Sequence, residues 1–210
     1  NCVNEATQER QMARVPRLSE QEIPDAFRAS FKEFEAAFAR NGNLPPHYYH
    51  CPEMAEYIFG MGAAFRANDI LPHRLVEVIV VTVSKLNECP YCTVHHSNRA
   101  VELGMAVDTL ESILEPNPPG LDEKETLVRD YVRHVIERPW GIRESVYDAM
   151  AQHFSHRELV AITMRANLAS MFNKINMALQ IEMEEGALEG MLESGIGANH
   201  VPAPETDAAD

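Results

Sequence analysis

The chain has 210 residues, 45% of them hydrophobic, and a formal net charge of −14. The charge argues against nucleic acid and anionic membrane surfaces as partners, and its ordinary consequence is solubility. No apolar run reaches the roughly eighteen residues of a membrane span, Val78 to Val83 being the densest, and four cysteines are too few for a disulfide scaffold.

Residues 1–16 are polar and mixed in charge, so they read as a flexible segment rather than a secretory signal. Ser19 and Glu22 form a capping-box pattern that opens a helix through Phe27, Phe31, Phe34 and Phe38. Asn41-Gly42 ends it, and Pro45-Pro46 marks the loop that follows. A second helix is expected from Pro52 to Asn68. A third starts at Pro72 and carries Leu75, Val78, Ile79, Thr82, Val83 and Leu86 on one face. Val76 to Ser84 is rich in β-branched residues and on composition could also be a buried strand. Val80 and Val81 make its other face apolar too, so a helix here would be buried on most sides.

A fourth helix spans about Pro90 to Leu103 and stops at Gly104, and a shorter one covers Asp108 to Leu114. Pro116 to Gly120 is a linker within one domain. Helices over Asp122–Glu137 and Arg143–His153 follow, with Trp140 expected to pack at the break between them. Ser155 and Glu158 form a further capping box and start a long helix through Leu159, Ile162, Leu168, Phe172, Ile175 and Leu179. Residues 195–210 are small, acidic and Pro-containing, and read as a disordered tail. The organisation is one domain over 17–194, with no internal repeat.

Cys89-Pro90-Tyr91-Cys92 stands out because of what accompanies it. Glu77 lies twelve residues before Cys89, and His96 lies four after Cys92. Cys89, Cys92 and His96 share one face of the fourth helix by their three- and four-residue spacing. The helix N-terminus favours thiolate over thiol, and Pro90 suits a first turn whose amide would go unused. Two neighbouring thiols can exchange two electrons, while a carboxylate and an imidazole can move the protons. Glu77 is on a different helix, so its contact with this face does not follow from spacing.

The segment from Glu77 through Ser84, Asn87, Cys89, Tyr91 and Cys92 to His95 and His96 resembles the core of the alkylhydroperoxidase D (AhpD)-like branch of the carboxymuconolactone decarboxylase superfamily. Ala100 and Gly104 fit as well, and a weaker likeness extends to the helix with Asn167, Asn173 and Asn176. The resemblance implies an all-α domain with the third and fourth helices as a reactive hairpin, and so a helix over Val76–Ser84. It implies Cys92 as the thiolate that attacks a peroxide, Cys89 as the thiol that resolves it to a disulfide, and Glu77 and His96 as a proton relay. Tyr91, His95, Ser84 and Asn87 are the flanking candidates, contacting the substrate or bracing the cysteines. AhpD has a His between its cysteines where this chain has Tyr91. No bound cofactor is expected. The implied partners are a hydroperoxide or other small oxidant and an external thiol or lipoyl-type dithiol reductant. A homo-oligomer in the cytoplasm completes this reading.

Other readings use the same residues. A lyase of the carboxymuconolactone decarboxylase type is one, although such enzymes usually lack the cysteine pair. A redox-sensing or metal-holding module is another. No metal site is assigned, since a closed zinc site needs four ligands and Cys2 and Cys51 are isolated. Cys89, Cys92, His96 and Glu77 could conceivably form one. A purely structural Cys89–Cys92 disulfide is a further alternative. His47, His50 and Cys51 form a second polar cluster, read as loop and cap residues, with Cys51 expected to be buried.

Overall fold

The computed structural model describes residues 13–202, and no strand occurs among them. The helices are α1 (Arg28–Ala37), α2 (Leu44–Tyr48), α3 (Pro52–Ala67), α4 (His73–Leu86), α5 (Pro90–Glu102), α6 (Val107–Glu111), α7 (Glu123–Glu137), α8 (Glu144–His153), α9 (His156–Leu179) and α10 (Ala187–Glu193). Val76 to Ser84 is therefore helical, and α4 is buried on two faces. Leu75, Ile79, Val80 and Val83 pack with α7, α8 and α9, while Val78 and Val81 pack with Val94, Leu110, Ile113 and Met191. Central position, rather than sheet formation, explains the β-branched run: a helix buried all round needs apolar residues in every direction.

Local chemistry sets the helix ends. Ser155 caps α9 by accepting from Glu158 N–H, while the Glu158 carboxylate accepts from Ser155 N–H at 2.8 Å. Asp122 and Glu125 make the same reciprocal pair at α7. Glu125 also receives Arg74 Nε at 2.6 Å, and Arg74 donates on to the carbonyl of Gly120 at 2.9 Å. Gly120 has φ +76, and a Cβ there would lie 2.5 Å from Thr109 Oγ1. The linker is thus fitted to α4 and α6, and it joins packed elements.

Six sequence expectations are corrected. The helix expected from Ser19 to Phe38 is interrupted: turns of 3-10 helix at Glu20–Glu22 and Asp25–Phe27 precede α1. Pro24 removes a donor and holds Ile23 extended, so the Ser19–Glu22 cap closes only one turn. Pro45 and Pro46 lie inside α2, where first-turn amides need no partner. The tail is ordered through residue 202: Ile196 and His200 are buried, and a 3-10 turn spans Ala198–His200. α10, which the sequence reading left unassigned, precedes it. Arg14 N–H donates to Leu179 O at 2.8 Å, so the end of the expected flexible segment is also tied down. Residues 1–12, with Cys2, and 203–210 lie outside the described residues. Trp140 is 81% exposed rather than packed, and Cys51 is an exposed free thiol rather than a core residue.

Candidate active site

α4 and α5 meet through a connection of three residues, Asn87 to Cys89, with Glu88 in the left-handed region at φ +55. Asn87 makes this turn rigid. Its amide donates to Ser170 Oγ at 3.0 Å and to Asn173 Oδ1 at 2.9 Å, and Asn173 donates to Ser84 Oγ at 3.2 Å. Ser84 and Asn87 thus bind the hairpin to α9. Both stand behind the cysteines and neither lines the cleft.

Cys89 is the N-cap of α5, and its sulfur accepts from Cys92 N–H at 3.4 Å. It is fully buried against the aromatic cluster of Phe31, Tyr48, Tyr49 and Phe59. Cys92, one turn on, lines a cleft of about 970 Å³. Its sulfur accepts from Asn176 Nδ2 at 3.4 Å, and the Asn176 carbonyl is fixed by the Tyr48 hydroxyl at 2.8 Å. Both thiols are free. Hydrogen bonding from Cys89, Asn173 and Asn176, with the nearby charge of Arg165, holds the Cys92 thiol below its ordinary range against the opposing effect of burial. Cys89 is pushed up, by its hydrogen bond with Cys92 and by burial. The inner sulfur therefore keeps its proton more firmly, and Cys92, which lines the cleft, is the first of the pair to ionise.

Glu77 and His96 meet across the hairpin, with His96 Nδ1 2.7 Å from Glu77 Oε2. Arg74 and Arg99 are engaged with Glu125 and Glu102 instead. With Nδ1–H donated to Glu77, Nε2 of His96 is the atom left to take or give a proton, and both residues line the cleft with Cys92. Arg165 of α9 lines the same space. Burial lowers its guanidinium to about 10, while Glu77 and Cys92 sustain its charge.

Tyr91 and His95 converge on a residue that no sequence pattern singles out. Glu184, in the connection between α9 and α10, accepts from the Tyr91 hydroxyl at 2.8 Å and pairs with His95 Nε2 at 2.6 Å. Asn43 N–H donates to the same carboxylate at 2.8 Å. All three side chains, Tyr91, His95 and Glu184, line the cleft. His47 is buried with Nε2 3.8 Å from Glu182, His50 Nε2 lies 2.8 Å from Pro16 O, and Cys51 is the N-cap of α3; none of these three lines the cleft. Among the described residues no group of three His, Cys, Asp or Glu side chains is arranged to hold a metal ion.

Sequence reasoning missed Tyr48, Arg165 and Glu184, and gave Asn173 and Asn176 only by resemblance. Residues 165, 169, 173 and 176 of α9 all line the cleft, at spacings of four, four and three. Arg165, Asn173 and Asn176 at helical spacing on one stripe of α9 were the available signal. Asn167, off that stripe, only donates back to Thr163 O.

Residues 52–117 match the model of the carboxymuconolactone decarboxylase family. No curated protein matches the sequence. Among solved structures, a peroxidase-related protein from Ralstonia eutropha JMP134, described as an alkylhydroperoxidase AhpD core, is similar with a TM-score of 0.73. It is 18% identical, with 86% of this chain and 97% of that chain covered. A putative antioxidant defence protein AhpD from Agrobacterium tumefaciens is similar at TM-score 0.60 and 20% identity, covering 64% of this chain and 93% of that one. The debrominase Bmp8, in complex with 2,3,4-tribromopyrrole, is similar at TM-score 0.69 and 18% identity, covering 86% and 96%. These likenesses concern the fold, and the family match falls on the helices that carry the cysteine pair. The chain has the all-α AhpD-like fold, and its segment 52–117 is similar to the carboxymuconolactone decarboxylase family.

Proposed function

We propose that this protein is a thiol-dependent peroxidase or disulfide oxidoreductase of the alkylhydroperoxidase type, with Cys92 as nucleophile and Cys89 as resolving thiol. The observation that carries the reading is the asymmetry of the pair. Cys92 lines the cleft with an amide donor on its sulfur, and Cys89 lies fully buried behind it, where burial and its hydrogen bond with Cys92 make it the harder thiol to ionise. A thiolate in that position attacks the outer oxygen of a hydroperoxide. The O–O bond breaks, Cys92 becomes a sulfenic acid, and the alkoxide leaves with a proton from His96, whose partner Glu77 steadies the resulting charge balance. Cys89 then attacks the Cys92 sulfur, water departs, and the Cys89–Cys92 disulfide forms. The sum is one hydroperoxide and two thiols converted to an alcohol, water and a disulfide. An external dithiol or lipoyl-type reductant restores the thiols.

A second reading draws on the debrominase neighbour and on the aromatic lining of the cleft, where Phe38, Phe65 and Phe172 would accept a ring. The same two electrons could replace a carbon–bromine bond with carbon–hydrogen, releasing bromide and leaving the disulfide. Peroxide consumption, followed with a panel of monothiol, dithiol and lipoyl reductants, separates the two. The first reading predicts turnover that is strongest with dithiols and abolished in Cys92→Ser. Bromide release from brominated pyrroles without peroxide consumption would favour the second.

A further inference from the structure

Two arginines in the cleft make no direct ion pair, although the charges of Glu77 and Cys92 lie near enough to Arg165 to favour its cationic form. Arg165 on α9 and Arg66 on α3 both line it, and among the described residues neither guanidinium makes a hydrogen bond or an ion pair. Arg66 instead lies over the Phe38 ring, 4.2 Å from its centroid. The two cations sit close enough to repel each other. Carboxylates in the same cleft are already engaged: Glu77 with His96, Glu102 with Arg40 and Arg99, Glu184 with His95 and Tyr91, and Glu185, which also lines it, is not free either. Arg66 is exposed and can be satisfied by water, whereas the Arg165 guanidinium, withdrawn beside apolar walls without a direct partner, is costly to hold and offers a planar fork of donors. The rest of the chain does not favour an anion, since the net charge is −14. At physiological salt, however, such distant charges are screened within about 8 Å, and the nearby pair dominates inside the cleft.

We propose that the cleft takes an organic anion: a carboxylate carried on an apolar body, with Arg165 and Arg66 receiving the acid group, the aromatic wall receiving the body, and Cys92 meeting the reactive end. The proposal rests on Cys92 as nucleophile and names the substrate class of that site. Arg165 is the specificity-determining residue, because it lies near both Cys92 and Glu77. An acid anchored there brings its far end past the thiolate, while Arg66 closes the cleft from α3.

The test compares two alkylating reagents of equal chemistry and different charge. Iodoacetate is an anion and iodoacetamide is neutral, and labelling of Cys92 is read by peptide mass spectrometry, so Cys51 does not contribute. Any change in the Cys92 thiolate fraction alters both rates alike and cancels in their ratio. Arg165→Gln should lower the iodoacetate-to-iodoacetamide rate ratio by roughly tenfold or more, as expected for loss of one charge-assisted contact. Arg165→Lys should recover part of the loss. An unchanged ratio in Arg165→Gln overturns the proposal. A second measurement uses wild-type protein only: 4-phenylbutyrate should slow labelling of Cys92 by iodoacetamide, and 4-phenylbutan-1-ol should not. Equal protection by both, or protection by neither, also overturns it. If Cys92 of the wild type is inert to both reagents, its role as nucleophile fails, and the substrate class fails with it.

Discussion

At the scale of single residues, the chemistry depends on how each polar group is held. Glu77 occupies one position in a helix whose surroundings are otherwise apolar, and its contact with His96 at 2.7 Å explains why a carboxylate is tolerated there. A Glu77→Gln variant retains the shape but loses the charge that orients and supports the imidazole. We expect its turnover to fall by roughly a hundredfold, the usual scale for a general acid–base group, with a change in thermal stability small by comparison. Steady-state kinetics alongside thermal melting checks this, and full activity in the variant would remove the relay. The Glu77, Cys89, Cys92 and His96 set was legible from spacing and resemblance, since three of its members share one helix face. Asn176, Tyr48 and Glu184 were not: Tyr48 and Asn176 meet across 128 positions of sequence, and no local pattern encodes such a contact.

At the scale of elements, the prolines of α3, α4 and α5 and the capping box of α9 made their starts readable, because each acts on its own first turn. What failed was reading composition as order. The small, acidic stretch after Gly195 lacks helix periodicity, yet His200 anchors it. Its Nε2 lies 2.8 Å from Ser97 Oγ on α5, its Nδ1 lies 3.3 Å from Lys85 Nζ on α4, and its carbonyl accepts from Lys85 at 2.9 Å. Burial first, and then the Lys85 charge, lower the His200 imidazole from 6.5 to about 4, with Glu111 opposing. The folded state therefore binds the proton less readily than the unfolded chain. The stability of this anchor is complete above the ordinary histidine range and is lost as pH falls from 6.5 towards 4. Melting temperatures of wild type and His200→Gln should differ most near pH 7, and the gap should shrink by pH 4.5. A gap that is constant with pH would mean that His200 acts by packing alone.

For the whole molecule, the clearest feature without a partner within the chain is apolar surface. Tyr147, Val160 and Met164 are 40%, 58% and 45% exposed and sit together around a shallow depression on α8 and α9. We propose this face as a contact of the homo-oligomer expected from the resemblance, since clustered exposed apolar side chains mark association surfaces. Sedimentation of the wild type should give a species larger than the 23.6 kDa chain. Val160→Glu should shift it toward that mass with helicity retained. A wild type that is monomeric at all concentrations contradicts this. The all-α class was legible in the chain, because helical spacing and the family motif agreed. The central place of α4 between two cores was legible only as a helix apolar on both faces.

The central claim is that Cys89 and Cys92 act as one two-electron couple opening on the cleft. It is tested most directly by treating reduced protein with one equivalent of cumene hydroperoxide, then counting thiols and mapping disulfides by mass spectrometry. The account predicts loss of two thiols per chain, a Cys89–Cys92 bridge, and a sulfenic acid trapped at Cys92 when Cys89 is replaced by Ser. Retention of all thiols, or a dominant bridge to Cys51, would contradict it.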